Sequence, residues 1–275
     1  MSTTRSRLPL VAGVLFLAFV CSLLARSYSD TTIALMVSSI LMFGCAWASA
    51  AHLLGARPAA KFVVLGLVIG WFAEEMGARY GWFFGGYDYT DVLGPRISEV
   101  PFVIPMMWFA LCYTGYVISN LMIWRHPVDA TPGWGNALLM SFLAAMIVTA
   151  FDLGGDPYLV YVLKAWIMHK KDGWWFGETI QGFFGWMTIS FIIVLLFRRF
   201  APPVIRASTP SDRRHTLLPL GIYAGTMVYQ IFLGHPVETR TIACFAMGIP
   251  LIAAWIHWLH WTPGEAPAEA TGDKA

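Results

Sequence analysis

What most constrains this chain is a series of apolar runs, each long enough to cross a bilayer. A helix needs about 20 mostly apolar residues to span the hydrocarbon core. In lipid every backbone N–H and C=O must find its partner internally, so each such run is confined to helix. Eight stretches qualify: 8–26, 31–54, 61–78, 101–124, 134–151, 183–200, 216–234 and 241–261. Composition agrees, because only 12% of the residues are charged where a soluble domain carries about 25%. The expected fold is all-α, a polytopic membrane helix bundle of about eight transmembrane helices. It forms a single transmembrane domain over residues 1–262, followed by a disordered polar tail, "PGEAPAEATGDKA", at 263–275. The first run is longer than a signal-peptide core and no clear small-residue cleavage site follows it, so it reads as a retained helix.

Basic residues are enriched on the cytoplasmic side of membrane proteins. With the N-terminus inside, inner segments hold eleven of the 18 Lys and Arg residues and outer segments seven. The loop with Arg198, Arg199, Arg206, Arg213 and Arg214 decides the count. The expected topology is N-in and C-in, in a bacterial inner membrane. Both long loops, 79–100 and 152–182, then share the outer face.

Several function classes lose support. A net charge of +2 without a basic stripe gives no reason to expect nucleic acid. There is no GxGxxG after a strand, no P-loop and no GxSxG. Cys21, Cys45, Cys112 and Cys244 lie inside apolar runs and form no CxxC, so they read as packing residues. His257 and His260 read as part of an interfacial belt, and the clustered histidine boxes of a di-iron oxygenase are missing.

The stretch "GWFAEEMGARYGWFFGGYDYT", 70–90, is the most unusual. Two adjacent acids, Glu74 and Glu75, close an apolar helix, and a loop of glycines and aromatics follows. Residues adjacent on a helix differ by about 100° in direction. One acid can therefore face the bundle while the other faces headgroups or Arg79, four residues after Glu75. Acids this close to hydrocarbon usually face a protein interior or a cavity. Trp71, three residues before Glu74, shares its face. A second block, "FDLGGDP" at 151–157, carries Asp152 and Asp156. It reads as a helix end at Asp152 followed by an Asp156-Pro157 turn. The helix dipole disfavours an acid at a C-terminus, which makes Asp152 a candidate for function.

The motif E-E-M-G-A-R-Y-G-W-F-F-G-G-Y-D-Y-T, with Leu93-Gly94-Pro95 and Trp108 after it, resembles the carotenoid biosynthesis membrane protein family, which includes the CruF-type carotenoid hydratases. Glu74, Gly77, Gly81, Phe84, Gly85, Tyr87, Asp88 and Tyr89 fall on that pattern. Asp152, Asp156-Pro157, Trp166, Gly173, Phe176-Gly177 and Phe183-x-Gly185-Trp186 fall on its second block. The resemblance covers residues 60–190. The chain departs from the pattern at Met168, Thr179 and Gly182, and Glu178 is an additional acid.

The resemblance implies a cofactor-independent hydratase acting on an acyclic carotenoid or other polyene isoprenoid in the bilayer. A carboxylic acid protonates the terminal C=C, and water attacks the tertiary cation. Glu74 and Asp152 are the expected catalytic acid/base pair, in either order, with Glu75, Asp88 and Asp156 in reserve. Trp71, Phe84, Tyr87, Tyr89, Trp108 and Trp186 are the expected substrate-binding walls, since aromatic faces stabilise cations. No metal or other cofactor is expected. Two alternatives stay open. A prenyltransferase would use Asp152 and Asp156 to hold Mg²⁺ on a pyrophosphate, and a non-catalytic carrier would only bind the polyene or a lipid.

Overall fold

The computed structural model describes residues 8–29, 31–128, 133–201, 207–262 and 264. Apart from Gly264, the tail expected to be disordered lies outside the described residues. So do Arg5, Arg7, Arg206 and Lys274 of the charge argument.

The apolar runs are helices: α1 (Leu8–Arg26), α2 (Thr32–Leu53), α3 (Ala56–Tyr80), α4 (Val103–Trp124), α5 (Trp134–Pro157), α6 (Ile180–Phe200), α7 (Pro210–Leu233) and α8 (Glu238–His260). Among the described residues, these eight are long and apolar enough to span a bilayer. This is the architecture of an integral membrane protein. Helix α4 is buried around almost its whole circumference and packs against α2, α3, α5 and α8. A helix apolar on all sides belongs in such a centre. Peripheral helices instead turn Leu17, Ile33, Phe142, Phe232 and Ile252 outward, as a lipid-facing surface requires.

Several boundaries differ from the sequence expectation by three residues or more, among them the start of α3 at Ala56 rather than 61, and three ends have a local reason. Helix α7 starts at Pro210 rather than 216 because Thr209 and Asp212 form a capping box, with Pro210 in the first turn. Helix α3 runs to Tyr80, where Gly81 adopts φ +69° and donates its N–H to Gly77 O. Helix α5 does not stop at Asp152. It continues to Pro157 and then into a π-helical turn, Tyr158–Val162. Asp152 and Asp156 therefore lie four residues apart on one helical face, and the expected turn at Asp156-Pro157 is helix. Gln230 of α7 supports this stretch by donating to Phe151 O at 2.9 Å.

The two long connections meet at one end of the bundle. Strand β1 (Tyr87–Tyr89) follows α3; β2 (Arg96–Ile97) and β3 (Val100–Pro101) precede α4; β4 (Trp166–Met168) lies between α5 and α6. Strand β1 pairs antiparallel with β4, placing Tyr87 opposite Met168 and Tyr89 opposite Trp166. The loop after α3 is thereby tied over the end of α5.

Candidate active site

Beneath this β1–β4 cover lies a recess of about 670 Å³ measured out to its mouth. Glu74, Asp152, Asp156 and Glu178 line it, among Phe84, Tyr87, Tyr89, Trp108, Phe151, Trp166 and Trp186. Four carboxyl side chains thus face one mainly aromatic chamber.

Glu74 is fixed from three sides. Tyr87 donates its hydroxyl to Oε2 at 2.5 Å and Tyr89 does so at 2.8 Å, while Trp108 Nε1–H reaches Oε1 at 2.8 Å. An indole N–H can only donate, so Oε1 must accept. Burial first, then the Glu74 charge, pushes both phenols well above the ordinary tyrosine range. They stay O–H donors. Three donors on one carboxyl match the needs of an ionised group. Small residues make this approach possible. A Cβ on Gly77 would come within 2.8 Å of the Tyr87 hydroxyl, and one on Gly70 within 2.7 Å of the Trp108 ring.

The other three acids form a second group. Asp156 and Glu178 hydrogen-bond each other. Burial first, then the Asp156 charge, raises Glu178 well above the usual carboxylate range, so Glu178 carries the proton of the pair at neutral pH. Asp152 is 2% exposed, and its Oδ2 has no hydrogen-bond partner. Glu178 Oε1 and Thr179 Oγ1 are likewise buried without partners. Buried polar atoms are rarely left so. Here all three belong to residues that line the recess.

The walls are stacked aromatics. The Trp108 and Trp186 rings lie 4.3 Å apart at 24°, and Phe84 packs 6.0 Å from Trp108. Tyr89 meets Trp166 edge-on at 5.8 Å.

Three expected site residues lie elsewhere. Glu75 turns away from the recess, as the 100° step requires. It binds Arg79, accepts from Ser98 Oγ at 2.8 Å and from the Glu99 N–H at 3.1 Å. Asp88 is exposed and pairs with His169 at 2.9 Å. The alternation of β1 sends Tyr87 and Tyr89 inward and Asp88 outward. Trp71 donates to Ile97 O at 3.2 Å and does not line the recess.

Glu178 is the residue that sequence reasoning left out of the site. Its signal was that of an unmatched acid in the second block. Only the fold of the 163–179 segment brings it to Asp156.

A model of the family described as carotenoid biosynthesis protein matches residues 31–254. The chain belongs to that family. A curated relative, bisanhydrobacterioruberin hydratase of Haloarcula japonica, is 30% identical over 125 residues, covering 45% of this chain and 39% of the relative. The match thus spans well under half of that protein's length. No solved structure matches the chain. Within this carotenoid biosynthesis protein, Met168, Thr179 and Gly182, where the sequence departs from the pattern it otherwise resembles, all line the recess.

Proposed function

We propose that this carotenoid biosynthesis protein is a hydratase that adds water across the terminal C=C of an acyclic carotenoid. The observation that carries this reading is the partnerless Oδ2 of Asp152 facing an aromatic chamber opposite a triply hydrogen-bonded Glu74. The relative's name, a hydratase, supports the same reaction class.

The chemistry follows from the four carboxyl groups, three acting as the acid set and one as an anion. The acid set of Asp152, Asp156 and Glu178 gives a proton to the less substituted alkene carbon. The π electrons form that C–H bond and leave a tertiary cation. With Glu74 in its ionised form, its charge stabilises the cation, and the Trp108 and Trp186 faces add cation–π attraction. Water attacks the cationic carbon through oxygen. The proton it loses returns to the acid set, which restores the starting state. The sum is one water added and a tertiary alcohol formed. In this reading Asp152 is the acid and Glu74 the anion, an order that the sequence left open and that the three donors on Glu74 support. On the expected topology the site lies near the outer face of a bacterial inner membrane, where water and polyene both have access.

The test is mass analysis of pigments from a carotenoid-producing host expressing the protein, beside Glu74→Gln and Asp152→Asn. A gain of one water on an acyclic carotenoid, lost in both variants, supports the reading. Full hydration by both variants overturns the site assignment.

A further inference from the structure

The recess has a neighbour on its inner side. Ile104, Met107, Phe151 and Leu159 line it and also line a second cavity of about 790 Å³, enclosed by α1, α2, α5 and α7. This second chamber has a different chemistry, because no acid lines it. Three of its polar side chains donate to backbone carbonyls. Ser38 donates to Leu35 O at 3.1 Å, Thr226 donates to Tyr223 O at 3.0 Å, and Gln230 donates to Phe151 O. Most of the remaining lining is hydrocarbon and ring, with Ser39 and with the Arg26 guanidinium stacked 4.8 Å over Tyr229.

We propose that one polyene chain occupies both chambers. The reacting end sits among the carboxyls, and the conjugated chain passes the four shared side chains into the second cavity. This rests on the hydratase reading above and extends it to how substrate length is read. A conjugated polyene is stiff and straight, so it cannot double back inside the recess and must leave in line. Toward the loops, Tyr87, Tyr89 and Trp166 close the way. Toward α1 and α7 the shared wall is entirely apolar. One of its members is Met107, an unbranched and adaptable side chain suited to a passage. A chamber lined mainly by hydrocarbon and aromatic side chains, with no acid and the one cation Arg26 held over Tyr229, suits a hydrocarbon.

The experiment fills the second cavity without touching the carboxyl site. Ser39→Phe adds bulk from α2 and Leu23→Trp from α1. Membranes carrying each protein are given two hydrocarbons with the same terminal alkene, a full-length acyclic carotenoid and a short acyclic terpene. Displacing even a few methylenes of bound chain lowers turnover of the long substrate by about tenfold or more. The short substrate, which ends inside the recess, is hydrated at the wild-type rate, and this also reports that the variants fold. Equal rates on both substrates in both variants overturn the proposal and leave the cavity to a lipid chain. A parallel loss on both substrates in both variants overturns it too, since length is then not read there. If the wild-type protein hydrates neither substrate, it is the hydratase reading that fails, and this inference falls with it.

Discussion

Two adjacent glutamates should respond in opposite ways to the same isosteric change. Glu74→Gln keeps shape and can keep all three hydrogen bonds. The amide oxygen accepts from Trp108, and the amide NH₂ donates to the Tyr87 and Tyr89 hydroxyls, which can switch to accepting. Each bond then falls from the charge-assisted range of about 1.5–3 kcal/mol to about 0.5–1.5 kcal/mol, a loss of roughly 3 kcal/mol over three bonds. Against that, the change removes a buried carboxylate whose desolvation costs several kcal/mol. Stability should therefore stay near wild type or rise. Catalysis should not. A fixed charge aimed at a developing cation is worth about 2.7–4 kcal/mol, so the hydration rate falls about 10²–10³-fold. Glu75→Gln can keep an acceptor oxygen on Arg79 and Ser98, but it removes the charge that pairs with Arg79 and turns an NH₂ against the Glu99 N–H. It lowers the melting temperature and leaves the rate intact. The assay is initial hydration rate in membranes at matched protein amounts, with thermal unfolding in detergent. A wild-type rate in Glu74→Gln, or an equal rate loss in Glu75→Gln, would refute the reasoning.

Other outcomes follow from the same geometry. Glu178 keeps its proton far above the ordinary glutamate value of about 4.3; a step that needs that proton is lost only as pH rises through the raised value. Wild-type hydration should therefore show no decline from mildly acidic to mildly alkaline pH, and a fall centred near the ordinary value would contradict the shared-proton pair. Gly77→Ala places a methyl against the Tyr87 hydroxyl and the Phe84 ring. Overpacking of this kind costs about 1–3 kcal/mol, which outweighs the helix propensity gain of about 1 kcal/mol, so both stability and rate drop; unchanged hydration would show that Tyr87 does not need its present position. Asp88→Asn, on the outward face of β1, should hydrate at the wild-type rate, and a large loss would return Asp88 to the site. Thr209→Ala removes the capping box of α7 and should cost about 1 kcal/mol of stability with no change in rate, as read by thermal unfolding and pigment analysis.

Much of the candidate site was legible as residue types and little of it as partnerships. Glu74, Asp152, Tyr87, Tyr89, Trp108 and Trp186 stood out because acids at the ends of apolar helices and glycine-spaced aromatics are costly or unusual there. The 100° step correctly predicted that Glu74 and Glu75 would part, but not which would turn inward. Trp71 failed on the same argument: its helical face is shared with Glu74 only roughly, and the backbone carbonyl of Ile97 claims its N–H. Asp88 failed because the strand alternation of 87–89 depends on pairing with 166–168, a partner far away in the chain. Glu178 was visible only as an oddity, since its meaning depends on Asp156 across the chamber.

The sequence by itself determined the spanning helices, because hydropathy is local and additive and the bilayer thickness sets the length that counts. Within a few residues at most ends, the eight runs are the eight helices. Capping extended α7, and α5 ran on through Pro157, because helix ends answer to hydrogen bonds as well as to hydropathy. Only the tertiary structure decided which acids share a chamber. It closed that chamber by pairing β1 with β4, gave Glu74 its three donors and joined Asp156 to Glu178. The physical reason is that a buried carboxyl takes its character from the atoms packed around it. Those atoms come from α3, α4, α5, β1 and the segment before α6, and the order of residues along the chain does not say how these pieces will meet.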